Sequence, residues 1–276
     1  MVSPFTLPPT GFGPGSQPDP EGELQYMSMP SGMRTYSAHV PDIADTDTAA
    51  AVLAMLEDMA RACARTRQGE TAEFDLSILT PPQRALMADT LGTGEVAMKI
   101  RGIPALSVQE SVFAGVWSVA GVGHDRVEVA PVPQAAQSRA HVPHRPALLT
   151  AAPKPGALAN GPAVLTELID RSARWQPGDE PHVINLSLLP HTEADLAWLA
   201  EALGEGATTI LSRGYGNVRV TATALARVWR VQFFNSMDTL ILDTFEVTDM
   251  PMVALAAAED FDDSEARILD VLKVIA

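Results

Sequence analysis

Thr80 to Val119 reads TPPQRALMADTLGTGEVAMKIRGIPALSVQESVFAGVWSV, and Thr192 to Val231 reads TEADLAWLAEALGEGATTILSRGYGNVRVTATALARVWRV. The two stretches align without a gap at a constant offset of 112, with 13 identities in 40 positions. The identities include residues that chance seldom repeats: Thr80 with Thr192, Gly92 with Gly204, Gly94 with Gly206, Arg101 with Arg213, Gly102 with Gly214 and Trp117 with Trp229. Composition alone does not produce this, so the chain carries an internal duplication. Upstream, Leu76 to Leu79 matches Leu186 to Leu189 after a two-residue slip; downstream, Glu128, Val129 and Pro133 match Glu246, Val247 and Pro251 at an offset of 118. Copy two therefore holds six extra residues just after its tryptophan strand.

Reading both copies together gives the element order. Val52, Met55, Leu56, Met59 and Cys63 recur at helical spacing and predict an amphipathic helix, whose counterpart starts near Pro162. A short apolar strand follows in each copy, Phe74 to Leu79 and His182 to Leu189. Thr80 stands before Pro81 and three before Gln83, and Thr192 stands three before Asp195, so each can cap a helix that Gly92 or Gly204 then ends. Three strand-like runs complete copy one: Glu95 to Arg101, Leu106 to Val119 and Arg126 to Ala130. Copy two has Thr208 to Arg213, Val218 to Phe234 and Leu240 to Val247. The long middle run has room for a bulge or a turn at Glu110 to Gly115 and at Thr223 to Ala226.

The expected fold is thus α+β: two tandem pseudo-repeats, each α-β-α-β-β-β with a mainly antiparallel sheet, plus a C-terminal helix. In that helix Ala266, Leu269, Leu272 and Ile275 form the apolar stripe, and Glu259 to Glu265 make an acidic, dipole-compatible start. Proline marks the boundaries, with eight of 22 in Met1 to Pro41 and seven between Pro131 and Pro162. The expected layout is a proline- and glycine-rich arm over 1–44, repeat 1 over 45–133, a linker outside the core over 134–161, repeat 2 over 162–258 and the helix over 259–276.

The formal net charge of −15 excludes non-specific binding to nucleic acid or anionic membrane. No Lys or Arg precedes Arg34 and no apolar run approaches ~20 residues, so neither a secretory signal nor membrane insertion is expected, and the location expected is cytoplasmic. A lone cysteine, Cys63, supplies no disulfide and no cysteine-based cluster. The six histidines are scattered except His141 and His144, so no metal and no cofactor is expected. No GxSxG elbow occurs, and no catalytic residue is assigned.

One stretch departs from the acidic background. Between Glu205 and Asp238 there is no acidic residue, while Arg213, Arg219, Arg227 and Arg230 occur. It contains the turn Gly214, Tyr215, Gly216, Asn217 and the inserted Asn235, Ser236, Met237, Asp238; repeat 1 keeps neither. The turn reads equally as a hairpin needing positive φ and as a contact surface. Together with Arg213 and Arg219 these residues form the candidate partner-binding site. The same arginines can instead pair with the chain's own carboxylates. Trp117 and Trp229, at equivalent places, are expected to be core anchors.

The chain resembles the hydrogenase expression/formation proteins of the HupH/HyaF type. The resemblance rests on Gly13 to Pro18, Leu91 to Val96, Gln109 to Trp117 and Ile184 to Leu186, and most specifically on Arg213 to Asn217 with Val228 to Leu240. It implies an accessory, non-enzymatic role in maturing a nickel-iron uptake hydrogenase. The implied partners are the precursor of the iron-sulfur small subunit, held before assembly and export, and other hydrogenase accessory proteins. It implies no cofactor. Many family members look like Gly-Tyr-Gly-Asn-Cys-Arg at the turn, whereas Val218 follows Asn217 here, so sulfur chemistry at that position is impossible. The alternative reading is an enzyme or binding protein for a small anionic ligand at the Arg-rich turn of repeat 2.

Overall fold

The computed structural model describes residues 46–149, 158–213 and 216–275. The expected N-terminal arm, the middle of the proline-rich linker, Gly214 and Tyr215 lie outside the described residues. Copy one contains α1 (Thr46–Thr66), β1 (Ala72–Asp75), α2 (Pro81–Leu91), β2 (Val96–Ile100), β3 (Leu106–Glu110), β4 (Val116–Gly121) and β5 (His124–Val129). A short α3 (Gln134–Ser138) follows. Copy two contains α4 (Gly161–Arg174), β6 (His182–Asn185), α5 (Glu193–Leu203), β7 (Glu205–Ser212), β8 (Asn217–Thr223), β9 (Val228–Phe234) and β10 (Leu240–Val247). The chain continues to α6 (Ala258–Ile275). The fold is α+β with a C-terminal helix, as the sequence predicts.

Helix starts follow the predicted chemistry. Gln83 Oε1 accepts from Thr80 N at 2.9 Å, and in copy two Asp195 N donates to Thr192 Oγ1 at 3.1 Å while Thr192 N donates to Asp195 Oδ2 at 2.8 Å. Asp195 also accepts from the amides of Ala159 and Gly161, tying the starts of α4 and α5 together. Burial works to raise its pKa, but the amides of Thr192, Gly161 and Ala159 prevail and hold the carboxyl below its ordinary value.

Four details differ from the sequence reading. The first strand of each copy is shorter than the apolar run, because Asp75 Oδ1 and Asn185 Oδ1 accept from Ser77 N and Ser187 N and fold the chain into a turn. The long middle run is two strands, β3–β4 and β8–β9, so each copy reads α-β-α-β-β-β-β. In α6 the buried residues are Phe261, Ser264, Ile268 and Val271, while Leu269 is 38% exposed. Two adjacent apolar stripes share this helix, and packing on α1, with Phe261 seated against Gly115 and Ser264 Oγ donating to Ala114 O, selects one of them. Finally, the start of the proline-rich stretch is inside the core, where Ala136 and Ala140 are fully buried.

Among the described residues ten strands form one antiparallel sheet in the order β1-β5-β4-β3-β2-β7-β8-β9-β10-β6. The two halves of that order are mirror sequences of equivalent strands. At the centre, β2 pairs with its own equivalent β7, and Met98 stands opposite Ile210, which is Met98 shifted by the repeat offset. Val96 stands opposite Ser212 and Ile100 opposite Thr208, so the register is symmetric about that pair. A pseudo-twofold axis therefore passes between Met98 and Ile210. The duplication folds as an isologous dimer within one chain.

One face of the sheet carries a core shared by both copies. Met98, Ile100, Val108, Trp117 and Val119 pack with Ile210, Val220, Trp229, Val231, Ala136 and Met250. Trp117 and Trp229 are 1% and 0% exposed, and their indole nitrogens donate to the equivalent carbonyls of Ala130 (2.8 Å) and Thr248 (3.1 Å). On the other face α4 and α5 cover copy two through Leu165, Leu168, Trp198 and Phe245. Cys63 is buried in α1, and burial, reinforced by Glu265, pushes its thiol up to about 12, which keeps it unreactive.

The repeated glycines have repeated reasons. Gly92 and Gly204 end α2 and α5 at φ +56° and +67°, where other residues are strained. A Cβ on Gly94 or Gly206 would collide with the backbone oxygens of Ser111 and Thr223, which are themselves equivalent positions.

The segment after α3 fastens the copies together. Arg139 Nη2 donates to the carbonyls of Arg101 and Pro104 in copy one, and Arg145 donates to Glu201 and Ala202 carbonyls at the end of α5 in copy two. Between them His141 Nδ1 meets Thr223 O at 2.9 Å and its Nε2 accepts from Arg227 N at 3.0 Å, which defines a neutral ring set edge-on to Trp229. Burial lowers the His141 pKa.

Two outcomes follow from this packing. Trp229→Ala is expected to lower unfolding free energy by about 3 kcal/mol or more through the cavity left at the shared core, measured by denaturant melting. His141 gives a pH signature: the unfolded ring takes a proton near its ordinary value of 6.5 while the folded ring resists it. Stability is therefore present above that pH and is lost as pH falls from 7 toward 5. The drop in melting temperature over that window is expected to be smaller in His141→Asn than in the natural chain, and an equal drop would show that the ring is not the titrating group.

Candidate functional site

The six-residue insertion lengthens the β9–β10 hairpin, and the end of β9 pairs with the start of β8. Asn217 stands opposite Phe234, and Asn217 Nδ2 donates to Asp238 Oδ1 at 2.9 Å. Asn217 of the first cluster picked out in the sequence and Asp238 of the second are thus joined directly. Asn235 Oδ1 accepts from Met237 N and Thr239 N, both at 2.9 Å, which sets the tip of the hairpin, and Asp238 adopts φ +56°. Met237 is 82% exposed there, and Ser236 is exposed beside it. Gly216 takes φ +107°, so the hairpin reading of the turn holds at this glycine.

The four arginines divide into two kinds. Arg230 is committed to Asp243, Nε to Oδ1 at 3.0 Å and Nη2 to Oδ2 at 2.6 Å, with the carboxylate almost fully buried. Arg227 stacks on Trp175 at 4.9 Å and meets Asp249 at 3.4 Å. Arg213 and Arg219 have no carboxylate partner among the described residues. Arg219 lies over the Phe234 ring at 5.5 Å, and Arg213 N bonds to Glu95 O at the end of β7. Together with Leu211, Asn217, Phe234 and Asp238 they line an open groove of about 590 Å³.

Register explains why these side chains meet. Leu211, Arg219 and Gln232 stand opposite one another across β7, β8 and β9, on the face away from the shared core. Val218, one residue earlier, is 6% exposed and points into that core. Sequence reading passed over Leu211, 39% exposed, although strand alternation from the buried Ile210 marks it as outward-facing. Trp117 and Trp229 lie inside the fold and not at this groove. Among the described residues no three His, Cys, Asp or Glu side chains converge to hold a metal ion, and no helix is long and apolar enough to cross a membrane.

Comparison with known proteins bears on both copies. The family described as HupH hydrogenase expression protein, C-terminal conserved region, matches residues 47–141 and again 158–275. The hydrogenase expression/formation protein HupH of Rhodobacter capsulatus is 59% identical over 275 residues, covering all of both chains. The hydrogenase-1 operon protein HyaF of Escherichia coli is 29% identical over 277 residues, covering 96% of this chain and 95% of its own. A solved structure, the hydrogenase expression protein HupH from Thiobacillus denitrificans, is 26% identical with a TM-score of 0.38, covering 43% of this chain and 98% of its own. With one family pattern matched in each half and full-length relatives at this identity, the chain belongs to the HupH hydrogenase expression protein family.

Proposed function

We propose that this protein is a non-enzymatic accessory protein in the maturation of a nickel-iron uptake hydrogenase, and that it holds the precursor of the iron-sulfur small subunit in the cytoplasm. Full-length identity to proteins named for hydrogenase expression and formation carries the first part. The contact surface is assigned to Arg213, Gly214, Tyr215, Gly216, Asn217, Arg219, Asn235, Ser236, Met237 and Asp238 of repeat 2. What supports this choice is that Arg213 and Arg219 stay unpaired with carboxylates among the described residues of a chain whose net charge is −15. Arg is among the side chains that concentrate interface energy, and exposed Leu211 lines the groove with both arginines. The groove is open, and Asp238 sits in its wall, which favours a docking surface over an enclosed site for a small anion. Other accessory proteins of the same pathway are further partners on this reading.

Capture of purified small-subunit precursor by the full chain tests it. Arg219→Ala and Tyr215→Ala are expected to weaken capture roughly thirtyfold, about 2 kcal/mol, with melting temperature nearly unchanged. Ile103→Ala, fully exposed at the equivalent turn of repeat 1, is expected to leave capture intact. Unchanged capture in both repeat 2 variants, with folding intact, removes the proposed surface.

A further inference from the structure

A second concavity, of about 580 Å³, lies on the same pseudo-twofold axis where the chain leaves β5 and β10. Its lining comes in pairs related by the duplication: Gln134 with Met252, Gln137 with Leu255, Thr71 with Pro181. In these three pairs copy one has the hydrogen-bonding or polar member and copy two the apolar one, whereas Ala130 with Thr248 and Pro131 with Asp249 diverge the other way. Met252, Leu255 and Pro181 of copy two, with the Trp175 ring, make one apolar part of the lining. Met252 is 75% and Leu255 39% exposed, so packing one copy on the other does not use them. The Trp175 indole N–H is buried without an acceptor among the described residues.

The charge of the cleft is one-sided. Its lining holds Glu73, Glu128 and Asp249 and no lysine or arginine, and Asp179 and Glu180 lie between the lining residues Gly178 and Pro181. Glu128 is committed to Arg126 and to the amide of Gln134. Glu73 and Asp249 are held more loosely, 3.6 Å from Arg126 and 3.4 Å from Arg227, and both side chains are exposed.

We propose that this cleft binds a polypeptide segment of a partner that joins a lysine or arginine to a bulky apolar side chain. The apolar group enters against Met252, Leu255 and the Trp175 ring, and the cation meets Glu73 and Asp249. The chain's own first 45 residues fit poorly, since they carry Asp19, Glu21, Glu23, Asp42 and Asp45 against Arg34. A second copy, at −15, is likewise repelled. The site is separate from the Arg213 and Arg219 surface and stands without it.

Panning a display library of random twelve-residue peptides over the full-length protein tests the cleft. Enrichment of peptides that place Lys or Arg near a large apolar residue is expected, with binding that weakens as salt is raised. Their affinity is expected to fall at least tenfold in Met252→Asp and in Glu73→Lys, both surface changes that leave melting nearly intact, and to stay within twofold in Arg219→Ala. Enrichment of acidic peptides, no enrichment, or binding indifferent to both cleft substitutions overturns the proposal. Binding that appears only when residues 1–44 are removed also overturns it, because the arm is then the occupant.

Discussion

The antiparallel pairing of β2 with β7 is the contact on which the remaining structure depends. Each copy alone is a five-stranded sheet with an open edge and half of an apolar face. Joining the two edges through Met98 and Ile210 satisfies both rows of backbone groups and brings Trp117 and Trp229 into one core. An isologous join of this kind requires the same strand to be complementary to itself. Val96, Met98 and Ile100 meeting Ser212, Ile210 and Thr208 meets that requirement with small or apolar side chains facing inward.

What the two copies retained and what they changed follows from that symmetry. Positions fixed by backbone geometry are shared, as with Gly94 and Gly206 under the carbonyls of Ser111 and Thr223. So are the tryptophans that donate to equivalent carbonyls. Positions facing solvent changed freely: the β9–β10 hairpin grew, Lys99 corresponds to Leu211, and Ser107 to Arg219. Divergence across an axis turns a symmetric surface into one with direction. Both the Arg213–Arg219 groove and the axial cleft have this character, one repeat supplying what its equivalent lacks.

Charge is distributed with a similar economy. In a chain of 34 acidic and 19 basic residues, most cations have a structural use. Arg139 and Arg145 bind carbonyls and clamp the segment between the copies, Arg230 neutralises buried Asp243, and Arg227 braces Trp175. Burying Asp243 without Arg230 would leave an uncompensated charge, which is far costlier than losing an exposed pair. Arg213 and Arg219 have no carboxylate partner among the described residues, and Arg219 lies over the Phe234 ring.

The sequence by itself determined the duplication, the α+β class, the helix caps at Thr80 and Thr192 and the place of the C-terminal helix, because each depends on local geometry or on a pattern present twice. The candidate turn and insertion were also legible, as departures of one copy from the other. That Asn217 of the one meets Asp238 of the other was not, since their bond joins neighbouring strands and exists only once β8 and β9 pair in register. The buried stripe of α6 was missed for a like reason: Ala266, Leu269 and Leu272 satisfy helical periodicity as well as Phe261, Ser264 and Ile268 do, and only the contact with α1 and Gly115 chooses. The burial of Ala136 and Ala140 in a proline-rich stretch was equally hidden. Tertiary structure decided these points because spacing along a chain records which residues can face the same way, whereas burial depends on what comes to cover them.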